Sequence, residues 1–206
     1  MAGEAPTTEL EAINLMLAAI VMAPISTLVG NQTSDVAMAV RILASTSRQV
    51  QSAGYHFNSE YDWPLNRDQD NKIPLSDNIM RVDVDRVSFN SIDAIQRGKF
   101  LYDKMTRSFT FTANHKGNVV LYLPFLDLPE AARFYIAIKA SRKFQDKIIG
   151  SDTLDGYDRA DEAEAKTIFE EAEGDNADHS IFDTPGLAGV TLRSNVNSSV
   201  RGLVRG

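Results

Sequence analysis

The sequence predicts an α+β fold: a four-helix bundle, a small antiparallel β-sheet inserted between its halves, and an extended C-terminal arm. Three observations predict it. Apolar residues recur at helical spacing on both sides of a middle stretch. That middle stretch holds short alternating runs separated by turn clusters. From Thr184 onward the chain has no acid and is rich in Gly, Ser and Asn. The expected division is 1–54, a first helical half; 55–126, an inserted β domain; 127–180, the second helical half; and 181–206, a flexible arm.

Thr8 and Glu11 form a capping box ahead of an apolar run, so the first helix starts near Glu9. Leu10, Ile13, Leu17 and Ile20 make its buried stripe, and Pro24 is expected to end it. Ser34 is the expected cap of a second helix running to Ala53, about 30 Å long at ~1.5 Å per residue. Val36, Val40, Leu43, Ser47 and Val50 recur at steps of four, three, four and three, the spacing of one helical face. Arg41 and Arg48 lie seven apart on a different stripe, and Ala37, Ala39 and Ala44 would let a neighbouring helix approach closely. Gly54 stops this helix, because glycine takes the left-handed conformation found just past a helix end. Tyr55 and Phe57 then alternate, as in a half-buried strand.

Turn clusters at Asn66–Lys72, Gln96–Lys99 and Ala113–Asn118 separate the alternating runs Asn78–Val84, Phe100–Asp103, Phe109–Thr112 and Val119–Leu123. These are the hairpins of the expected sheet. Asp127 and Glu130 flank Pro129 in a second helix-start signature. The third helix is expected to run to Ile149 and stop at Gly150. Phe134, Ala137, Ile138, Ser141, Phe144 and Ile148 form its apolar face, and Lys139, Lys143 and Lys147 its basic face. A fourth helix is expected over Tyr157–Glu173, with Ala163, Ile168 and Phe169 as burial candidates.

Composition bounds the function. At 206 residues and 22.7 kDa, with 43% hydrophobic and 24% charged residues, the chain is globular and holds one domain or two small ones. There is no cysteine, which excludes disulfides and cysteine-ligated zinc. The longest apolar run, Leu15–Ile25, is eleven residues, and a membrane span needs about twenty. Glu4, Glu9 and Glu11 with no basic residue beside them do not make a secretory signal, so a soluble protein without membrane contact is expected. A net charge of −7 does not suit tight binding of duplex DNA. Charge is unevenly spread: eleven acids against Arg159 and Lys166 over 151–179, then Arg193, Arg201 and Arg205 in the arm.

The pattern Arg41-Ile42-Leu43, Arg48-Gln49, Gln51-Ser52, Gly54-Tyr55, Phe57-Asn58 resembles the tail tubular protein A family of short-tailed, podovirus-type bacteriophages. Ala12-Ile13-Asn14 and Ile25-Ser26-Thr27-Leu28 resemble that family's first helix and the loop after it. Pro129-Glu130, Arg133, Tyr135, Lys139-Ala140-Ser141-Arg142 and Phe144 resemble its third helix. The loop Val21-Met22-Ala23-Pro24 departs from the family, which more often has glycine and an acid before the proline. The likeness is good over roughly 8–60 and 119–150 and weak between 64 and 118.

The resemblance implies a structural virion protein: a dodecameric head-to-tail adaptor ring under the portal protein, seating the nozzle (tail tubular protein B), with tail fibres near that boundary. DNA would pass through its channel during ejection without tight binding, and assembly would take place in the host cytoplasm. On that reading the arm meets the portal through Arg193, Arg201 and Arg205, with Leu192, Val200 and Leu203 filling apolar clefts. Glu170, Glu171 and Glu173 are candidates to face the channel, where like charge repels phosphate; a solvated helix face is the plainer account of the same acids.

Residues with catalytic or metal-binding potential give weaker patterns. His56, His115 and His179 are scattered and fit no zinc spacing. Asn66, Asp68, Asp70 and Asp77 occupy positions one, three, five and twelve of a calcium loop, but Asn71 stands where that loop needs glycine, and a hairpin turn explains the same residues. No nucleophile elbow or phosphate-binding glycine loop is present. Trp63 could floor a sugar site or sit in the core, and a tail-associated polysaccharide hydrolase is the alternative function. Neither a cofactor nor enzymatic activity is expected. The basic stripe of the third helix could meet phosphate or, preferably, the acidic fourth helix.

Overall fold

A computed structural model describes residues 7–30, 33–84, 92–150 and 152–182, with side chains described over 159–175 in the last of these. The fold is α+β. In chain order it comprises α1 (Glu9–Ala19), α2 (Ser34–Gln51), a 3-10 turn (His56–Asn58), β1 (Ser59–Leu65), β2 (Ile79–Val84), β3 (Ala94–Arg97), β4 (Phe100–Asp103), β5 (His115–Leu121), a second 3-10 turn (Phe125–Asp127), α3 (Glu130–Ile148) and α4 (Asp152–Phe182).

The helices gather on α3, which packs against α1, α2 and α4, while α1 also touches α2. Their shared core holds Ile13, Met16, Leu17, Leu43, Ile136, Phe144 and Phe169. The capping box at α1 forms as expected: Glu11 N donates to Thr8 Oγ1 at 3.2 Å and Thr8 N donates to Glu11 Oε2 at 2.7 Å. These bonds hold the Glu11 carboxyl below its ordinary range.

Pro24 does not end α1. The helix stops at Ala19 with Val21 in the left-handed region at φ 60°; Val21 N donates to Ala18 O and Met22 N to Leu17 O, both at 2.9 Å. This is the bond pair of a helix end closed by a left-handed residue. Valine is sterically unsuited to that conformation, so no residue type signalled it. Gly54, at φ 79°, is the stop expected after α2, and a Cβ there would meet Arg81 Nη2 at 2.6 Å and Val120 Cγ2 at 2.9 Å. The turn therefore needs glycine twice over, for its dihedral angle and for the approach of the sheet.

Two sheets form. One has strand order β1-β5-β2, all antiparallel, and the other is the β3-β4 hairpin. Their buried residues, among them Leu65, Ile73, Leu101, Phe111 and Val119, make a second core. Both outer strands of the larger sheet carry register shifts, between Glu60 and Trp63 in β1 and between Ile79 and Arg81 in β2. Such bulges twist an edge away from unwanted pairing.

Several expectations are corrected. Tyr55 and Phe57 are not in a strand: they flank His56 around a 3-10 turn, so both rings turn to the same side and reach Phe169. Phe109–Thr112 makes only an isolated bridge, Thr110 to Lys72, whereas β1 and β3 form where no strand was expected. The Ala113–Asn118 turn is largely the start of β5. Phe134 and Ile148, assigned to the apolar face of α3, are exposed, as is Ile168 on α4. The fourth helix is far longer than Tyr157–Glu173, at 31 residues. The added turns at its two ends carry Gly156, Gly174, Asp and Asn, poor helix formers, so neither propensity nor periodicity revealed more than its middle.

Candidate functional site

The residues that carry the family resemblance converge on the junction between the helices and the sheet. Gln51, fully buried at the end of α2, donates from Nε2 to Leu123 O and Ser47 Oγ, both at 3.0 Å, and accepts from Leu123 N at 2.8 Å. Asn58 donates from Nδ2 to Gln51 O at 2.9 Å and Leu121 O at 2.8 Å, while its Oδ1 accepts from Tyr55 N at 2.9 Å. Two buried amides thus tie the end of α2, the 3-10 turn and the exit of β5 into one unit. Their polar atoms are matched, as burial demands.

A similar clamp holds the loop after α1. Asn14 Oδ1 accepts from Ile25 N at 2.8 Å, and its Nδ2 donates to Ile25 O at 3.0 Å. At the start of α3, Arg133 donates from Nε to Leu128 O at 2.9 Å and from Nη1 to Thr7 O at 3.1 Å. Tyr135 stacks on Phe169, with ring centroids 5.5 Å apart and planes 11° from parallel.

A charged seam joins α3 to α4. Arg142 Nε donates to Glu162 Oε2 at 2.6 Å, and Lys139 Nζ lies 3.2 Å from Glu162 Oε1 while donating to the Tyr135 hydroxyl at 2.8 Å. Burial pushes the Lys139 ammonium down, but the Tyr135 hydroxyl and Glu162 outweigh it and hold it above its ordinary value. The expected basic stripe is therefore split. Lys139 meets the acidic helix as expected, Lys143 turns to Thr46 and Gln49 of α2, and Lys147 is exposed. Burial and the nearby Lys139 leave the Lys143 ammonium below its usual range.

The acids Glu170, Glu171 and Glu173 do not share a face, which corrects their grouping as one channel-facing set. Glu170 pairs with Lys166 at 3.2 Å, and Glu171 is exposed. Glu173 is buried and accepts the backbone N–H of His56 at 2.8 Å, locking α4 onto the 3-10 turn. Glu173 follows the buried Ala165 and Phe169 at steps of four, on the inward face, whereas Glu171, two residues earlier, lies roughly 160° round the helix from it. The arm residues Leu192, Arg193, Val200, Arg201, Leu203 and Arg205 lie outside the described residues.

The calcium-like segment is occupied with its own turn. Asp68 Oδ1 accepts the N–H groups of Asp70 and Lys72, both at 2.9 Å; Asp77 pairs with Lys99 at 2.8 Å; Asn71 takes φ 59°. Among the described residues no group of three or more His, Asp or Glu is placed to hold a metal ion. No described helix is long and apolar enough to cross a membrane. Trp63 packs, half-buried, against the sheet core.

His115 is buried at the start of β5 with its ring 5.6 Å from that of Phe111. Burial and the Arg67 guanidinium hold the imidazole below its ordinary pKa, with Asp103 opposing them. Asp103 itself shapes the following turn: burial pushes its carboxyl up, but hydrogen bonds from the Thr106 hydroxyl and the Met105 and Thr106 N–H groups outweigh that and leave it lowered.

Sequence reasoning missed the roles of Gln51, Asn58, Asn14 and Glu162. A polar amide inside a motif that borders an apolar stripe was the available signal, since a buried amide must be matched and so fixes its neighbours.

No curated protein matches the chain. The family model Tube (Tail tubular protein) matches residues 10–179. That span takes in the Asn14 clamp, the Gln51–Asn58 junction and the α3–α4 seam. The chain therefore belongs to the tail tubular protein family of bacteriophages, structural components of the viral tail.

Proposed function

We propose that the protein is a head-to-tail adaptor: twelve copies form a closed ring between portal and nozzle, with a central channel through which DNA is ejected. The family match over 10–179 carries this reading. The fold supports it, because the polar clamps fix the relative placement of helices and sheet instead of converging on a reactive cleft. The protein works by assembly and not by turnover. Affinity between rings of repeated subunits sums over many weak contacts.

In this reading the four stretches 1–54, 55–126, 127–180 and 181–206 act as two helical halves, an inserted β unit and an arm. The arm docks on the portal through Leu192, Arg193, Val200, Arg201, Leu203 and Arg205. Glu170 and Glu171, exposed on α4, approach the channel, where their charge keeps phosphate from adhering. The ring seats nozzle and fibres on its other side, and assembly occurs in the host cytoplasm before release. Deleting residues 184–206 leaves a folded subunit with unchanged helical content by circular dichroism that no longer joins portal in a sedimentation assay. Full portal incorporation of the truncated chain would overturn the arm's role.

A further inference from the structure

Between α1 and α4 the surface of α3 is open, with apolar side chains beside charged ones. A cleft of about 210 Å³ lies there, lined by Leu15, Ala18, Ala19 and Ile138 together with Ser141, Arg142 and Asp161. Phe134, one turn before Ile138, and Ile168, two turns after Asp161, continue the stripes of α3 and α4 that border it; Leu15 is 40%, Phe134 42% and Ile168 48% exposed. Residues Asp161, Glu164 and Ile168 follow one another at steps of three and four, so one exposed stripe of α4 carries two acids beside an isoleucine. Exposed apolar surface rimmed by charge is the form a docking face takes.

The opposite side of the subunit carries a matching stripe. On α2, Ala37, Arg41, Ala44 and Arg48 recur at steps of four, three and four, and all are exposed. Small residues there let another helix come close, while the two arginines flank it. Among the described residues Arg41, Arg48, Asp161 and Glu164 form no salt bridge within the subunit. Lys143 reaches toward α2 and Ile138 toward the cleft, and five helical steps set them roughly 140° apart around α3. The two stripes therefore face away from each other, as the halves of a head-to-tail contact must.

We propose that the outer stripe of α2 in one copy docks into the α1–α4 cleft of the next, with Arg41 and Arg48 opposite Asp161 and Glu164 and Ala37 and Ala44 against Leu15, Phe134 and Ile138. This inference rests on the ring reading and names the two surfaces that close the ring. Opposite charges set the register of the contact, and the apolar side chains of the cleft supply the buried area.

Charge exchange in the full chain tests it. Arg41→Glu with Arg48→Glu gives one variant, and Asp161→Lys with Glu164→Lys gives the other. Each alone should lose ring assembly at least tenfold by native mass spectrometry while keeping the wild-type melting curve. A one-to-one mixture should recover rings of alternating composition, because each altered face then meets its altered partner. Assembly of either variant at the wild-type level, or a mixture that stays dispersed, would overturn the proposal. In tails, a short bis-maleimide should join Ala44→Cys of one copy to Phe134→Cys of its neighbour in a chain with no other cysteine. Rings or tails that form without this cross-link refute the chosen faces and leave the ring standing. If the cleft instead holds the chain's own arm, a Phe134→Cys thiol becomes labelled only after deletion of 184–206, which also refutes it. Absence of rings both in solution and in tails would instead refute the ring reading, and the inference with it.

Discussion

Asn58 shows how one side chain can hold a fold's halves together. Its amide serves three backbone groups from three segments, all out of water. Asn58→Ala leaves those groups unmatched, and a loss of about 3 kcal/mol is expected in urea unfolding; a loss under about 0.5 kcal/mol, the range of a surface substitution, would show that water replaces the amide. His115 makes the sheet's stability depend on pH. Its folded pKa is lowered, so the unfolded chain takes up a proton that the folded one resists. The stabilisation is complete above the unfolded value of about 6.5 and falls as pH drops from there toward the folded pKa. Urea midpoints at pH 7.5 and 5.5 should differ in that direction, and His115→Phe should narrow the gap; an unchanged gap would assign it to other groups. At this scale the sequence was partly legible. Gly54 could be read as a helix stop because its conformational need is unique, but Val21 does the same task against its steric preference and left no trace.

The α1 capping box and the start of α3 were legible because each is a local pattern within a few residues. The ends of α4 were not, since Gly156, Gly174 and the Asp and Asn residues beside them read as turn and cap residues instead of helix. Strand β1 was hidden by its bulge at Asp62, which breaks the alternation that marks a strand. The seam between α3 and α4 hinges on Glu162, whose side chain is 14% exposed and answers both Lys139 and Arg142. Glu162→Gln should cost roughly 1–3 kcal/mol, because two part-buried cations lose one charge partner. Hydrogen exchange should report this first in α4, as faster exchange than in α1–α3. Uniform destabilisation of all four helices would mean that α4 does not open separately.

Across the whole molecule, the two cores are joined by neutral amides, while charge is placed on the outer helix faces. That arrangement fits a part whose interior must be rigid and whose surfaces choose partners. Net charge of −7 arises largely from α4, while residues 184–206 hold three arginines and no acid. Membership of the tail tubular protein family was readable in the sequence through motif residues that proved to be structural clamps. The faces proposed to meet were not, because a solvated stripe and a docking stripe have the same composition in sequence. The most direct test is a symmetry-averaged electron cryomicroscopy map of the phage tail. The account predicts a twelve-membered ring of this chain at the joint between portal and nozzle, with α2 of each copy seated between α1 and α4 of the next. A joint without density for the chain, or the chain found as isolated copies elsewhere on the particle, would contradict it.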